Sequence, residues 1–331
     1  MWKFSKDKKT NVLVRDVEIN TDKGGRPVKI LHVTDIHFNY CTEDDLKNPT
    51  LASTWENHKY LKIQRDSNGK YSNVYDRHFS IRHMEGSAEF IKEQAADQLV
   101  VTGDIMSYLS EGNLKLAKLY VFDAFDNVLA TLGNHEAIQK MQGTVEESLS
   151  LEERMSILKD IWCNDISYVS KVLEDKVMLV LMDNSTVGRY GSFTDSQVEN
   201  LKKDLTLARA NGYSVLLFYH IPLATENSAD RQKCAEPYVE GDANTKVWDF
   251  ETRGINSSAE DKASRDMYQL ITQNGDVIKA AFCGHKHNDY TTEIIATDIN
   301  GQKTVIPQYI LIGNTYGGKD IAGNVLRITI N

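Results

Sequence analysis

The sequence has no long apolar run, no paired cysteines, few prolines and no surplus of positive charge. Each lack removes a class of protein. No stretch approaches the ~20 apolar residues that span a bilayer, so no membrane-spanning segment is expected. The N-terminal MWKFSKDKKT is positively charged but has no apolar region behind it, so no secretory signal is expected either. The four cysteines (Cys41, Cys163, Cys234 and Cys283) are scattered and never form CxxC, which leaves neither a zinc ribbon nor a redox motif. They read as free thiols in a reducing, cytoplasmic compartment rather than as a disulfide framework. A net charge of −9 argues against a broad electrostatic footprint for nucleic acid or an anionic membrane.

What is present is an ordinary soluble composition, 41% hydrophobic and 26% charged, over 331 residues, enough to bury a substantial core. Neither an internal repeat nor a domain linker is visible, so residues 1–331 are expected to form one domain. Short runs rich in Val, Ile and Leu recur at Val28–Val33, Leu99–Val101, Val128–Leu132, Val177–Met182, Val215–Tyr219 and Val277–Cys283, and read as buried strands. Helical patterns lie between several of them. Thr194-Asp-Ser-Gln197 is a capping-box sequence, followed by Val198, Leu201, Leu205 and Ala208 at helical spacing and by Gly212 as a stop. Leu151, Met155, Leu158 and Trp162 make a similar stripe, as do Met267, Leu270 and Ile271 before Gly275. Strands alternating with helices point to a layered α/β fold. Short runs at Ile294–Ile295, Tyr309–Ile312 and Val325–Ile330, parted by turn signals, suggest a mixed or partly antiparallel sheet. Two polar, weakly periodic segments, Tyr40–Arg82 and Thr225–Asn256, interrupt the rhythm and read as insertions that shape specificity.

Polar clusters sit where these strands end. Asp35-Ile36-His37 closes the first strong strand, and in extended backbone residues i and i+2 share a face, so a carboxylate and an imidazole could grip one ion together. Gly103-Asp104, Gly133-Asn134-His135-Glu136, His220 and Gly284-His285-Lys286-His287 close four more. In open α/β sheets, strand ends are where ligand sites lie. Any one fragment alone is more often a cap or a satisfied polar residue. Clustered histidines, however, are costly to hold together without a metal.

These five blocks, in this order, resemble the calcineurin-like metallophosphoesterase superfamily, over about Ile30 to Tyr316. The resemblance implies a four-layer αββα sandwich of two mixed sheets flanked by helices. It implies that Asp35, His37 and His287 bind one metal ion and Asn134, His220 and His285 another, with Asp104 bridging. His135 is implied as a non-ligand general acid over the leaving group, diverging from Asn134 in extended backbone. Carboxylate, imidazole and amide ligands without thiolate suit two divalent or trivalent ions such as Mn, Fe or Zn. Such a pair can clamp a phosphoryl group and bring a shared water from pKa 15.7 towards roughly 7, so that a bridging hydroxide attacks phosphorus. The expected reaction is hydrolysis of a small phosphorylated substrate, a diester in preference to a monoester. A nuclease is the enzymatic alternative. A binding or scaffold protein on the same fold is the other, although it would have no need of seven ligands plus His135. The chain lacks the Asp-Arg-Gly of protein serine/threonine phosphatases, reading Asp104-Ile-Met-Ser-Tyr-Leu. It has Ser107 where purple acid phosphatases place a metal-binding Tyr, and it keeps His37.

Other polar residues read as structural. His32 lies inside a strand. His58, His78 and His83, with Arg65, Arg77 and Arg82, read as solvated charges of the first insertion rather than a phosphate grip. Asp183-Asn184 reads as a turn or cap, and Cys283 as a buried thiol. Tyr238, Trp248 and Arg253 of the second insertion are candidates for a substrate wall.

Overall fold

Alternating runs of β-branched and aliphatic residues produce two six-stranded sheets in the computed structural model. It describes residues 2–21, 24–58, 60–65, 71–76, 79–140, 147–186, 191–223, 225, 262–316 and 320–331, without the side chains of 60–65, 71–76 and 175. The first sheet runs β1 (Lys3–Lys6), β2 (Leu13–Ile19), β14 (Asn324–Ile330), β3 (Val28–Val33), β6 (Gln98–Thr102), β7 (Val128–Thr131). The second runs β12 (Tyr290–Thr297), β13 (Lys303–Ile310), β11 (Ile278–Cys283), β10 (Ser214–Phe218), β9 (Val177–Met182), β8 (Tyr168–Leu173). Both are mixed. β3, β6 and β7 are parallel neighbours in the first, as are β9, β10, β11 and β13 in the second, with antiparallel pairs β1/β2, β14/β3, β12/β13 and β8/β9.

The period-two alternation of each strand divides its side chains between two cores. Val28, Ile30, Val100, Leu179, Leu181, Leu216, Phe218 and Phe282 meet between the sheets. Their sequence neighbours Leu31, Val33, Leu99 and Val101 face α2 (Phe79–Glu93), α3 (Glu111–Ala117) and α4 (Leu151–Ile161). On the other outer face Val180, Met182, Leu217 and Ala281 meet α5 (Asp195–Asn211) and an eleven-residue helix, α6 (Lys262–Thr272). The result is the expected αββα order, each fully buried aliphatic or aromatic side chain contributing ~1.5–3 kcal/mol. Both Ser150/Glu153 and Thr194/Gln197 close as capping boxes.

The first insertion, weakly periodic in sequence, has regular structure of its own. It carries α1 (Pro49–Asn57), the hairpin β4 (Tyr60–Arg65)/β5 (Tyr71–Asp76) and the start of α2. His83 is not a solvated charge: it is buried in α2, its Nδ1 3.0 Å from the Asn314 carbonyl, and burial lowers its pKa to about 4. His58 caps the end of α1 over the Thr54 carbonyl, and exposed Arg82 lies over the Phe79 ring. His78, Arg77, the Arg65 side chain and residues 226–261, including Cys234, Tyr238, Trp248 and Arg253, lie outside the described residues. Cys41, Cys163 and Cys283 are free thiols, and Cys283 is buried as expected. His32 is buried too, 2.7 Å from Thr102 Oγ1 and edge-on to Phe218 and Phe282. No helix among the described residues is long and apolar enough to cross a membrane.

Candidate metal centre

Three parallel strands of the first sheet (β3, β6, β7) and two of the second (β10, β11) point their C-terminal ends at one spot, and the five sequence blocks follow them there. The seven expected ligands converge. Asp35, His37, Asp104 and His287 each offer an atom within 4.8 Å of the others, as do Asp104, His220 and His285. Asn134 Oδ1 joins the second group, 3.2 Å from His220 Nε2 and 3.0 Å from His285 Nδ1. Asp104 alone belongs to both.

The backbone reaches this arrangement by a route different from the one the sequence suggests. Asp35 (φ 51°), His37 (φ 54°), Asp104 (φ 50°), His285 (φ 68°) and His287 (φ 51°) are all left-handed, not extended. Asp35 and His37, at i and i+2, do face one ion's place, but because each is turned back from the strand end rather than continuing it, while His285 and His287 divide between the two groups. Left-handed backbone costs an L-residue ~1–2 kcal/mol, so five such residues store ~5–10 kcal/mol of local strain. Strain of this kind persists where surrounding contacts over-determine it. Asn134 and His135 likewise lie in a turn, not in extended chain.

Two glycines make the close approach possible. Gly103 sits at φ 76°, and a Cβ there would strike the Gly133 backbone; a Cβ on Gly133 would strike the Asp104 carboxylate and amide. Glu136, completely buried, closes the same corner. Its Oε2 accepts from the Asp104 and Gly133 amides at 3.0 and 2.6 Å, and its Oε1 from the Met106 amide at 3.2 Å. Burial and the Asp104 charge push its pKa up to about 7 against these three donors.

The donor set fits a pair of cations. With Nδ1 committed to the Thr102 carbonyl at 2.7 Å, His220 turns Nε2 into the site, and that atom is a bare lone pair whenever the ring is neutral. That lone pair faces Asp104 Oδ2 and Asn134 Oδ1, both at 3.2 Å and both acceptors. Asp35 Oδ1 is buried and accepts no hydrogen bond among the described residues, yet lies 2.9 Å from His287 Nε2, and the His37 and His287 Nε2 atoms are 3.2 Å apart. Lone pairs aimed at one another in a dry site need positive charge between them. The titration shifts carry the same sign. Burial resists ionisation of Asp35 and Asp104, but the surrounding imidazoles hold both well below the usual carboxylate range. Burial likewise opposes charging of His220, and Asp104 outweighs it, raising the ring to about 10.

His135 stands beside the cluster. Its amide donates to Asp104 Oδ1 at 3.0 Å and its Nδ1 to the Ser107 carbonyl at 2.8 Å, leaving Nε2 4.0 Å from Asp104 Oδ2 on a side chain that is 20% exposed. Ser107 hydroxyl donates to the His37 carbonyl at 3.2 Å, so this residue braces two loops.

Three residues that build the site carry no sequence signal of that part. Glu136 stands in the Gly133-Asn134-His135-Glu136 block, and only burial reveals its three donors. Asp183-Asn184 reads correctly as a turn at Asp183, whose Oδ1 accepts from the Ser185 amide at 2.8 Å. Asn184, however, also pins the segment after His220, exchanging hydrogen bonds with Ile221 N and O at 3.0 and 2.8 Å. Tyr316 stacks on His287 with centroids 4.3 Å apart and planes 25° apart, a contact no local pattern signals.

The model of one family, described as calcineurin-like phosphoesterase, matches residues 28–289. No curated protein sequence matches the chain. Among solved structures, a dimetal phosphatase from Danio rerio is 13% identical, with 86% of this chain and 87% of that one covered and a TM-score of 0.47. A purple acid phosphatase from yellow lupin (Lupinus luteus) seeds is 11% identical, with coverage of 96% and 46% and a TM-score of 0.45. A calcineurin-like phosphoesterase from Bacillus subtilis is 14% identical, with coverage of 87% and 81% and a TM-score of 0.39.

Proposed function

Since the chain belongs to the calcineurin-like phosphoesterase family, we propose that it hydrolyses a small phosphate ester, a diester in preference to a monoester, at the cluster of Asp35, His37, Asp104, Asn134, His220, His285 and His287. The observation that carries the reading is the membership of Asp104 in both ligand groups, which suits a carboxylate shared by two ions. Two ions such as Mn, Fe or Zn, when bound, would supply Lewis-acid stabilisation of phosphoryl oxygens and a water made nucleophilic near neutral pH.

The protein's own groups do the rest. Asp35, His37 and His287 would form one side of the cradle, Asn134, His220 and His285 the other. Left-handed ligands stacked on two sheets leave little freedom to relax, which preorganises the site. The Nδ1–H of His135 is held by the Ser107 carbonyl, so a second proton on Nε2 would face the cleft and could pass to the departing ester oxygen. Preference for a diester is supported by the motif set, which keeps His37 and lacks both the Asp-Arg-Gly and the Tyr ligand of two monoesterase-type subclasses.

The test is a panel of alkyl and aryl phosphomonoesters and phosphodiesters with the manganese-loaded protein, alongside metal analysis. About two ions per chain and faster turnover of diesters are expected. Two ions with monoesters favoured would overturn the ester class, and no metal-dependent hydrolysis of either would overturn the reading itself.

A further inference from the structure

Arg15 belongs to none of the five blocks and precedes the family match, yet its side chain is buried at 4% exposure beneath the site. It projects from β2 with all three guanidinium nitrogens engaged. Nε and Nη2 reach Asp289 Oδ2 at 2.9 and 2.8 Å, while Nη1 donates to Asn324 Oδ1 at 2.6 Å and to the Leu13 carbonyl at 3.1 Å. Asp289 lies two residues beyond His287, and its Oδ1 takes the Ile312 amide at 3.0 Å. Asn324 turns its amide to the carbonyls of Gly313 at 3.0 Å, Asn314 at 3.2 Å and Tyr316. One guanidinium therefore anchors two loops at once: the one that carries His287, and the one whose Tyr316 ring lies flat against it.

His287 needs such an anchor. Its side chain is 32% exposed, against 5% for His37 and none for Asp35, so little packing fixes its aim. His285, in the same loop, is held independently, its amide on Asp35 Oδ2 at 3.0 Å and its Nδ1 beside Asn134 Oδ1. Resting on the two-ion reading above, we propose that Arg15 is a positioning residue for His287. It sets the affinity for the ion of the Asp35/His37/His287 group while leaving the Asn134/His220/His285 group to its own supports. Groups behind metal ligands commonly govern affinity in this way. A lysine could not substitute fully, because a point charge cannot bridge Asp289 and Asn324 in one plane as the fork does.

The experiment compares full-length wild type with Arg15→Met/Asp289→Asn, which leaves no buried charge unpaired, and with Arg15→Lys, which keeps the charge should the neutral pair not fold. Manganese is titrated into each metal-free protein by calorimetry and followed by electron paramagnetic resonance, with His37→Ala as the one-ion reference. Wild type should bind two ions with a spin-coupled signal. The double variant should keep the affinity of the ion that His37→Ala retains within a few-fold, lose about 10- to 100-fold on the other ion, and show the uncoupled spectrum of His37→Ala; Arg15→Lys should fall between. Wild-type affinity for both ions in the folded variants, or equal weakening of both, would overturn the proposal. A wild type that never takes a second ion would instead sink the two-ion reading on which it rests.

Discussion

Replacing Glu136 by Gln changes one oxygen to an amide nitrogen in the most constrained corner of the site. The carboxylate takes three buried backbone N–H groups. With the Gln oxygen placed where Oε2 lies, the Asp104 and Gly133 amides keep partners, but neutral ones, while the Met106 amide meets another donor. Hydrogen bonds to charged acceptors contribute ~1.5–3 kcal/mol and neutral ones ~0.5–1.5 kcal/mol, so the exchange costs ~4–6 kcal/mol before any offset. Removing a buried charge beside Asp104, which burial and that neighbour disfavour, returns part of it, leaving a net loss of ~2–4 kcal/mol. At ~2–4 °C per kcal/mol for a domain of moderate size, the melting temperature should drop by roughly 5–15 °C. The scan belongs in chelator, because bound ions would stabilise the folded state by mass action and mask the difference. Glu136→Gln should also weaken manganese at both groups, since Asp104, Met106 and Gly133 all hang from this carboxylate. A variant that melts within 2 °C of wild type and binds manganese normally would refute the claim that the three donors hold the corner together.

Three further outcomes follow from the same geometry. His135→Ala should keep both ions and slow alkyl esters by about 10²–10⁴-fold while sparing nitrophenyl esters, whose leaving group departs without a proton; equal loss on both would point to positioning rather than proton donation. Asp104→Asn should lower metal occupancy in both groups and cost more activity than His37→Ala, which should empty only one; plasma emission analysis separates the two. His83, neutral and buried with a pKa of about 4 against an ordinary 6.5, contributes stability that is full above pH 6.5 and lost as pH falls towards 4, up to ~3 kcal/mol across that window. His83→Asn, which can still donate to the Asn314 carbonyl, should flatten denaturant midpoints over that range, and an unchanged slope would show that His83 charges freely.

The site was legible because its residues follow runs that can hardly be anything but buried strands. Val28–Val33 delivers Asp35 and His37, and Val277–Cys283 delivers His285 and His287, so reading the runs located the ligands. The turn-back of those ligands was not legible, because hydrophobic alternation fixes a strand's faces and says nothing of φ beyond its end. α2 escaped for a different reason. Its buried side includes Ser80, His83 and Ser87, the last two of which answer to Asn314 rather than to an apolar core, and that breaks the helical stripe. β1 is exposed at all four positions and carries no alternation at all. Arg15 illustrates the limit most plainly: a charged residue in a short strand reads as solvent-facing until Asp289, 274 positions away, is found against it.

The left-handed ligands set the direction in which this chain would decay. Glycine meets no Cβ penalty at φ near +55°, and asparagine meets less than most residues, so replacing Asp35, His37, Asp104, His285 or His287 by either relieves backbone strain. A population of variants propagated under selection for folding alone, with hydrolysis no longer required, would therefore have downhill steps open at these five positions. The core, packed between and outside the sheets, offers no such steps, since nearly every change there opens a cavity. Loss of function would begin at the ligands themselves and leave the sandwich intact, so a descendant could keep the fold of a phosphoesterase long after it had ceased to be one.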